Sequence, residues 1–394
     1  MDRAINNIAC IGIVVGARHH ALVRHDIARR SERISQALVQ MTGILSQYMM
    51  RTIIASTAMV LVVLLALAGL FELIAELDDI QGDYGTPQAI MYTLLRLPNL
   101  AFEMLPVAVL IGSLLGLGAL AGNSEIIVMR SAGLSVAEMS GMVALSGAVL
   151  LVITGLLGEF IGPPLEFYAR NMRAEARYQQ DDDHLGNEAW VKDGDVYLHL
   201  ERVNPDFDFG SLYVYKFDGD RLASVAMAEN AGIDSNDDWI LENLRETEFR
   251  RDGVQVTQTS RSIESFEVDS GLLGSSLAKP LSLSARELLT YIDYLERNSL
   301  DSTKYETEFW FRISRTSTIL IMPILALAFV FGSLRSGSAG GRLMIGVVIG
   351  LAYYLASETL ANSGKVFDLN PLIVTWAPSL TLAAITFFAL SRIR

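Results

Sequence analysis

The stretch Ala121-Gly122-Asn123-Ser124-Glu125-Ile126-Ile127-Val128-Met129-Arg130-Ser131-Ala132-Gly133 has the residue types of a short helix that supplies its own ends. Asn123 or Ser124 can cap the first turn, and Glu125 complements the positive end of the helix dipole. Arg130 falls in the last turn, and Gly133 can take the left-handed position that ends a helix. The spacing predicts a helix over 123–132. Two to three turns are too few to be stable alone, and Ile126, Ile127, Val128 and Met129 give it apolar faces. It reads either as a connector at a membrane interface or as a coupling helix seated in the groove of a soluble partner.

No other pattern in the chain offers chemistry. There is no G-x-x-x-x-G-K-[ST] to cradle a nucleotide, no G-x-S-x-G and no H-E-x-x-H. Cys10 is the single cysteine, so neither an intrachain disulfide nor a thiolate metal cage can form. His19, His20, His25, His184 and His199 are scattered, and Asp181-Asp182-Asp183 lacks the turn glycine and further ligands of a cation loop. The chain is therefore expected to be no enzyme by itself and to hold no metal or cofactor. A net charge of −13 argues against nucleic acid as a partner.

The elements that must position the short helix are apolar. Hydrophobic residues make up 51% of the chain and charged residues 19%, below the quarter or so that soluble domains carry. Six runs, over about 52–76, 97–121, 135–161, 309–333, 342–362 and 371–391, are long enough to cross a ~30 Å hydrocarbon core at 1.5 Å per residue. The fold class is membrane α-helical with six spans, arranged as 41–164 (spans one to three, with the short helix), 165–305 (an inserted domain) and 306–394 (spans four to six).

The inserted segment differs in kind. From Leu165 to Tyr305 the excess of acidic over basic residues equals the whole net charge of the chain. Its pattern has period two, with Asp193-Gly194-Asp195 and Asp218-Gly219-Asp220 as turns between alternating runs. Further strands are expected near 239–244, 254–259 and 263–268. Short strands with such turns suggest a β-sandwich or jelly roll. Tyr197, Tyr213, Tyr215 and Phe217 would either line an apolar groove or fill a closed core. After Pro280, Ser284 and Glu287 have capping-box spacing ahead of the stripe Leu288, Leu289, Ile292 and Leu295.

Basic residues set the orientation. With the N-terminus cytoplasmic, Arg51, Arg130, Arg335, Arg342, Arg392 and Arg394 all fall at cytoplasmic ends. Glu76, Asp78, Asp79, Asp83, the β-domain and the loop with Lys365 and Asp368 fall outside. Residues 1–40 hold six arginines against three acids and no amphipathic repeat. They read as a poorly ordered extension upstream of the start-like Met41, in competition with a basic segment lying on anionic lipid.

Several phrases resemble a known family. They include Gly82-Asp83-Tyr84, Leu115-Gly116-Leu117-Gly118 running into Ser124-Glu125-Ile126-Ile127-Val128-Met129, and Gly158-Glu159-Phe160 with Pro163. Ala169-Arg170-Asn171-Met172-Arg173-Ala174, Trp190-Val191-Lys192-Asp193-Gly194, and Phe331-Gly332-Ser333-Leu334-Arg335-Ser336 continue the likeness. From Met41 to Arg394 the chain resembles the LptF/LptG permeases of lipopolysaccharide export, with phrases of the LptG branch. The resemblance implies a periplasmic β-jellyroll between spans three and four, in a bacterial inner-membrane protein. It implies an LptF-like paralogous partner, an LptB-like ATPase dimer holding ATP and Mg, an LptC-like single-span protein and an LptA-like periplasmic bridge. Lipopolysaccharide would be taken from the outer leaflet of the inner membrane. Asn123, Ser124, Glu125, Ile126, Met129, Arg130 and Gly133 would then couple to the ATPase. Cations near the outer interface, Arg96, Arg312 and Arg315, are candidates for lipid phosphate, or else snorkelling arginines. Glu72 stands where the family often has a lysine and would repel phosphate, and Glu103 in span two is costly in lipid. The alternative reading is a permease-like subunit that anchors, or transmits force to, periplasmic partners without moving lipid.

Overall fold

The computed structural model describes residues 43–80, 84–178, 189–201, 210–234, 238–266, 268, 272–273, 280–331, 339–367 and 369–393. The segment 1–40, the aspartate run at 181–183 and Arg335 lie outside them. Among the described residues, six helices are long and apolar enough to cross a membrane. They are α1 (Gly43–Asp78), α2 (Thr86–Gly122), α4 (Val136–Leu156) with its continuation, α7 (Thr303–Phe331), α8 (Ala339–Val366) and α9 (Pro371–Ser391). The predicted spans fall inside these helices, apart from Ser135, which caps α4, and residues 332 and 333, which lie outside the described ones.

α2 and α7 form the centre of the bundle, and α1 is the least buried span. Leu110, Leu114, Leu117, Met139, Ile319, Met322 and Leu325 make the core where α2, α4 and α7 meet. α1 joins through small residues. A Cβ placed on Gly112 would lie 2.5 Å from the Cα of Thr57, and one on Gly116 2.9 Å from the Oγ of Ser56. In lipid, where apolar surface gives helices little reason to associate, such close backbone approach supplies the packing. α7, α8 and α9 are joined by buried hydroxyls: the Oγ of Ser314 donates to the Thr375 carbonyl (2.8 Å), and the Tyr353 hydroxyl lies 3.2 Å from Ser379.

The third span continues as helix past its apolar run. α4 runs into a π-turn at Leu157–Ile161 and on into α5 (Gly162–Tyr178). The first strand described beyond it begins at Ala189.

The domain is a curled antiparallel sheet of seven strands: β1 (Ala189–Asp193), β2 (Val196–Leu200), β3 (Leu212–Asp218), β4 (Arg221–Ala228), β5 (Asn230–Ile233), β6 (Trp239–Arg250) and β7 (Gly253–Glu264). β1 to β4 form a meander. β4 and β5 both pair one side of β6, and β7 pairs the other. Gly194 and Gly219 take φ +57° and +59° at the two Asp-Gly turns read from the sequence. The runs near 254–259 and 263–264 are one strand, β7.

The inner face of the sheet is closed by helix α6 (Ala285–Arg297). Val191, Leu198, Leu212, Val214 and Trp239 pack with Tyr291, Tyr294 and Leu295. Tyr197, Tyr213, Tyr215 and Phe217 do not fill the closed core. They alternate with the core residues and so lie on the opposite face, where Tyr197 meets Phe217 edge-on and Tyr213 tilts against His199. The period-two pattern carried them there. The core side of β2 and β3 belongs to Leu198, Leu200, Leu212 and Val214.

Candidate functional site

At the end of the bundle away from the sheet, the short helix α3 (Glu125–Ser131) links α2 to α4. Its C-terminal end forms as read: Gly133 has φ +99°, its N–H donates to the Arg130 carbonyl, and the Leu134 N–H donates to the Met129 carbonyl. Its N-terminal end does not. Asn123 terminates α2, and Ser124 sits in the left-handed region at φ +62° with no capping hydrogen bond from its side chain. The carboxylate of Glu125 fills that place differently. One oxygen accepts from the Tyr48 hydroxyl of α1 at 2.8 Å, and the other from the Asn123 amide at 3.4 Å. Ile126 and Met129 are buried against the bundle, while Ile127 and Val128 face outward. Arg130 lies over the Phe331 ring at 5.6 Å. A cavity of about 390 Å³ opens between α3 and the end of α7, lined by Ile126, Ile127, Arg130 and Phe331.

Because Gly133 needs a positive φ, Gly133→Ala is expected to cost about 1–2 kcal/mol. Thermal unfolding of the detergent-solubilised protein measures it. An unchanged midpoint would contradict the constraint.

At the sheet end, α1, α2 and α5 are tied by ion pairs. Arg96 of α2 bridges Glu72 of α1 and Glu166 of α5, and Arg170 also holds Glu166 at 2.6 Å. Glu166 is 1% exposed. Arg173 reaches Glu76 at 2.8 Å and Asp79 at 2.7 Å. The Tyr92 ring lies between two guanidiniums, Arg96 at 5.5 Å and Arg173 at 5.1 Å. Tyr84 donates to Glu76 at 2.8 Å. Burial, then that bond, pushes the Tyr84 phenol up, so it stays a neutral donor.

Residues 47–392 match the family model described as lipopolysaccharide export system permease LptF/LptG. The chain belongs to this family. It is 31% identical over 359 residues to the lipopolysaccharide export system permease protein LptG of Escherichia coli K12, across 90% of this chain and 99% of that one. To LptG of Haemophilus influenzae it is 29% identical over 357 residues, across 90% and 100%. To LptF of Escherichia coli K12 it is 21% identical over 350 residues, across 87% and 93%. The higher identities accord with the LptG branch read from the phrases.

In this LptF/LptG permease the candidate phosphate ligands are distributed unevenly. Arg96 and Glu72, a cation and the carboxylate thought to oppose its ligand, pair with each other. Arg312 lies 5.7 Å from the Phe102 ring and within electrostatic reach of Glu308, Glu159 and Glu287. Arg315 donates to the Glu103 carbonyl at 2.8 Å and lies between the Phe311 and Tyr354 rings. Arg170 and Arg173 complete the cation cluster; in the sequence they stand only in a family phrase and not among the phosphate candidates. They fall in α5, assigned there to the inserted domain. The signal for them was helical spacing: Glu166, Arg170 and Arg173 recur at four and three residues, one helix face.

Proposed function

We propose that this permease is the LptG-type half of an exporter that extracts lipopolysaccharide from the outer leaflet of the inner membrane and passes it to a periplasmic bridge. An LptF-like paralogue completes the membrane cavity. An LptB-like ATPase dimer holds ATP and Mg and receives α3. An LptC-like single-span protein and an LptA-like bridge continue the route. The observation that carries this reading is the pairing of two features on one bundle. The end with α3 presents outward-facing Ile127 and Val128 beside a cavity, and the other end bears the sheet. The β-domain is periplasmic and both termini are cytoplasmic. Arg51, Arg130 and Arg392 at the α3 end, against Glu76, Asp78 and Asp79 at the other, support that orientation.

Mass spectrometry of lipid copurified with the intact complex tests the substrate, and lipopolysaccharide is expected. Phospholipid alone, together with lipid-independent ATP turnover, would favour the anchoring alternative. A separate outcome is expected of the isolated chain, which has no phosphate loop. Purified alone, it should show no ATP hydrolysis above a contaminant control. Turnover by the chain itself would overturn the assignment of the energy source to a partner.

A further inference from the structure

Glu159 belongs to the Gly158-Glu159-Phe160 phrase, which neither the coupling helix nor the ion-pair cluster uses. It sits in the π-turn between α4 and α5. Its side chain leaves the membrane helix and caps another element. One oxygen accepts the Ala285 N–H at 2.8 Å, the other the Arg286 N–H at 3.3 Å. These are the first two amides of α6. The Glu287 N–H is held by Ser284 Oγ at 3.3 Å, and the Ser284 N–H by Glu287 at 2.7 Å. All four amides that a helix leaves unsatisfied at its start thus have partners, two of them from a different span.

The rest of the neighbourhood fixes Glu159 in place. A Cβ on Gly158 would come within 2.5 Å of the Phe102 ring, so the turn lies flat on α2. Arg312 of α7 covers the same ring and adds a positive field near the carboxylate. π-turns inside helices recur at functional sites because they re-aim a side chain.

α6 is also held at its other end. The Tyr294 hydroxyl donates to the Lys192 carbonyl at 2.8 Å and accepts the Lys192 N–H at 3.2 Å. Asn298 accepts the Gly194 N–H at 2.8 Å, and its carbonyl accepts from the Lys192 Nζ at 2.8 Å. Burial pushes the Tyr294 phenol up, so this link stays neutral and intact around neutral pH. A helix of 13 residues, about 20 Å long, therefore joins the third span to β1, an open edge of the sheet among the described residues.

We propose that Glu159 is a positioning residue for lipid hand-over: through α6 it makes edge strand β1 follow the third span, so that a stroke in the membrane is delivered to the periplasmic sheet. This rests on the lipopolysaccharide-export reading. On this assignment Glu159 acts through α6, and its effect falls on transfer alone.

The test uses the complete exporter in proteoliposomes, with lipopolysaccharide as substrate and a photocrosslinking periplasmic acceptor. Two rates are followed, ATP hydrolysis and lipid reaching the acceptor. In Glu159→Ala, which loses both bonds to α6, transfer is expected to fall by about tenfold or more, since one charge-assisted hydrogen bond alone accounts for about tenfold. Hydrolysis should stay within about twofold and subunit composition should be unchanged. Glu159→Gln, which keeps one accepting oxygen, should lie between. Asn298→Ala weakens the far end of the same link by removing the bond to the Gly194 N–H. If the two ends act in series, Glu159→Ala with Asn298→Ala should be no worse than the worse single change, whereas independent roles would multiply. Normal transfer in Glu159→Ala, multiplied losses in the double variant, or equal loss of hydrolysis and assembly would each overturn the proposal. A wild-type complex that transfers no lipopolysaccharide would instead sink the export reading.

Discussion

Glu125→Ala should abolish most coupled transport while the membrane fold survives. Under the proposed function, the Glu125 carboxylate meets a cationic donor in the ATPase groove. Truncating one partner of such a desolvated pair costs about 2–5 kcal/mol, more than tenfold in coupled transport. The structure adds a competing account, because Glu125 already accepts from Tyr48 within its own chain. Two further substitutions separate the accounts. Tyr48→Phe removes only the internal bond, which is solvent-exposed, and is expected to leave stability and copurification of the ATPase nearly normal. Glu125→Gln keeps an oxygen for Tyr48 but loses the charge, and should behave like Glu125→Ala. If Tyr48→Phe were as damaging as Glu125→Ala, the internal tie to α1 would be the main role of Glu125. Undiminished transport in Glu125→Ala would remove the coupling role.

The second large effect is expected at Gly112. α1 touches the bundle sparingly, so each place where it comes close matters more. A methyl group at Gly112 would meet Thr57 Cα at 2.5 Å and Thr57 N at 2.6 Å, both backbone atoms. No rotamer change can relieve that overlap, and the two helices must part. Gly112→Ala is expected to cost about 1–3 kcal/mol, the range for forced overpacking. Gly112→Leu should prevent α1 from seating at all. Gly141 and Gly155 are the internal controls, since a Cβ on either meets nothing within 4 Å. Alanine there should be neutral or stabilise by roughly 0.5–1 kcal/mol through helix propensity. Thermal unfolding in detergent, with protection of α1 from proteolysis, reads all three positions. Equal behaviour of Gly112→Ala and Gly155→Ala would mean that α1 is not held by close packing.

The spans and the acidic sheet were legible because both rest on local patterns. An uninterrupted apolar run such as 52–71 needs no partner to be read, and Gly194 and Gly219 mark their turns alone. β5 escaped notice, and β4 was marked only by the turn before it. The run Ala223-Ser224-Val225-Ala226-Met227-Ala228 is rich in helix formers, and it is a strand because β3 and β6 pair it on either side. The sites divide in the same way. Gly133 was readable because a helix end is local. The bond from Tyr48 to Glu125 and the cap from Glu159 to Ala285 join positions 77 and 126 residues apart, and no spacing rule reaches across them. Arg96 and Glu72 illustrate the cost of reading charges singly: each was weighed against an absent phosphate, and they neutralise each other.

The π-turn at Leu157–Ile161 also sets a phase. Each residue of a helix advances the chain by about 100°, so the extra residue in that turn decides which way all of α5 faces. Glu166 and Arg173 meet Arg96 and Glu76 only at the present setting. A one-residue deletion there would leave every side chain of α5 intact and turn its ionic face away from α1 and α2. In this segment the number of residues, as much as their kinds, carries the structural information.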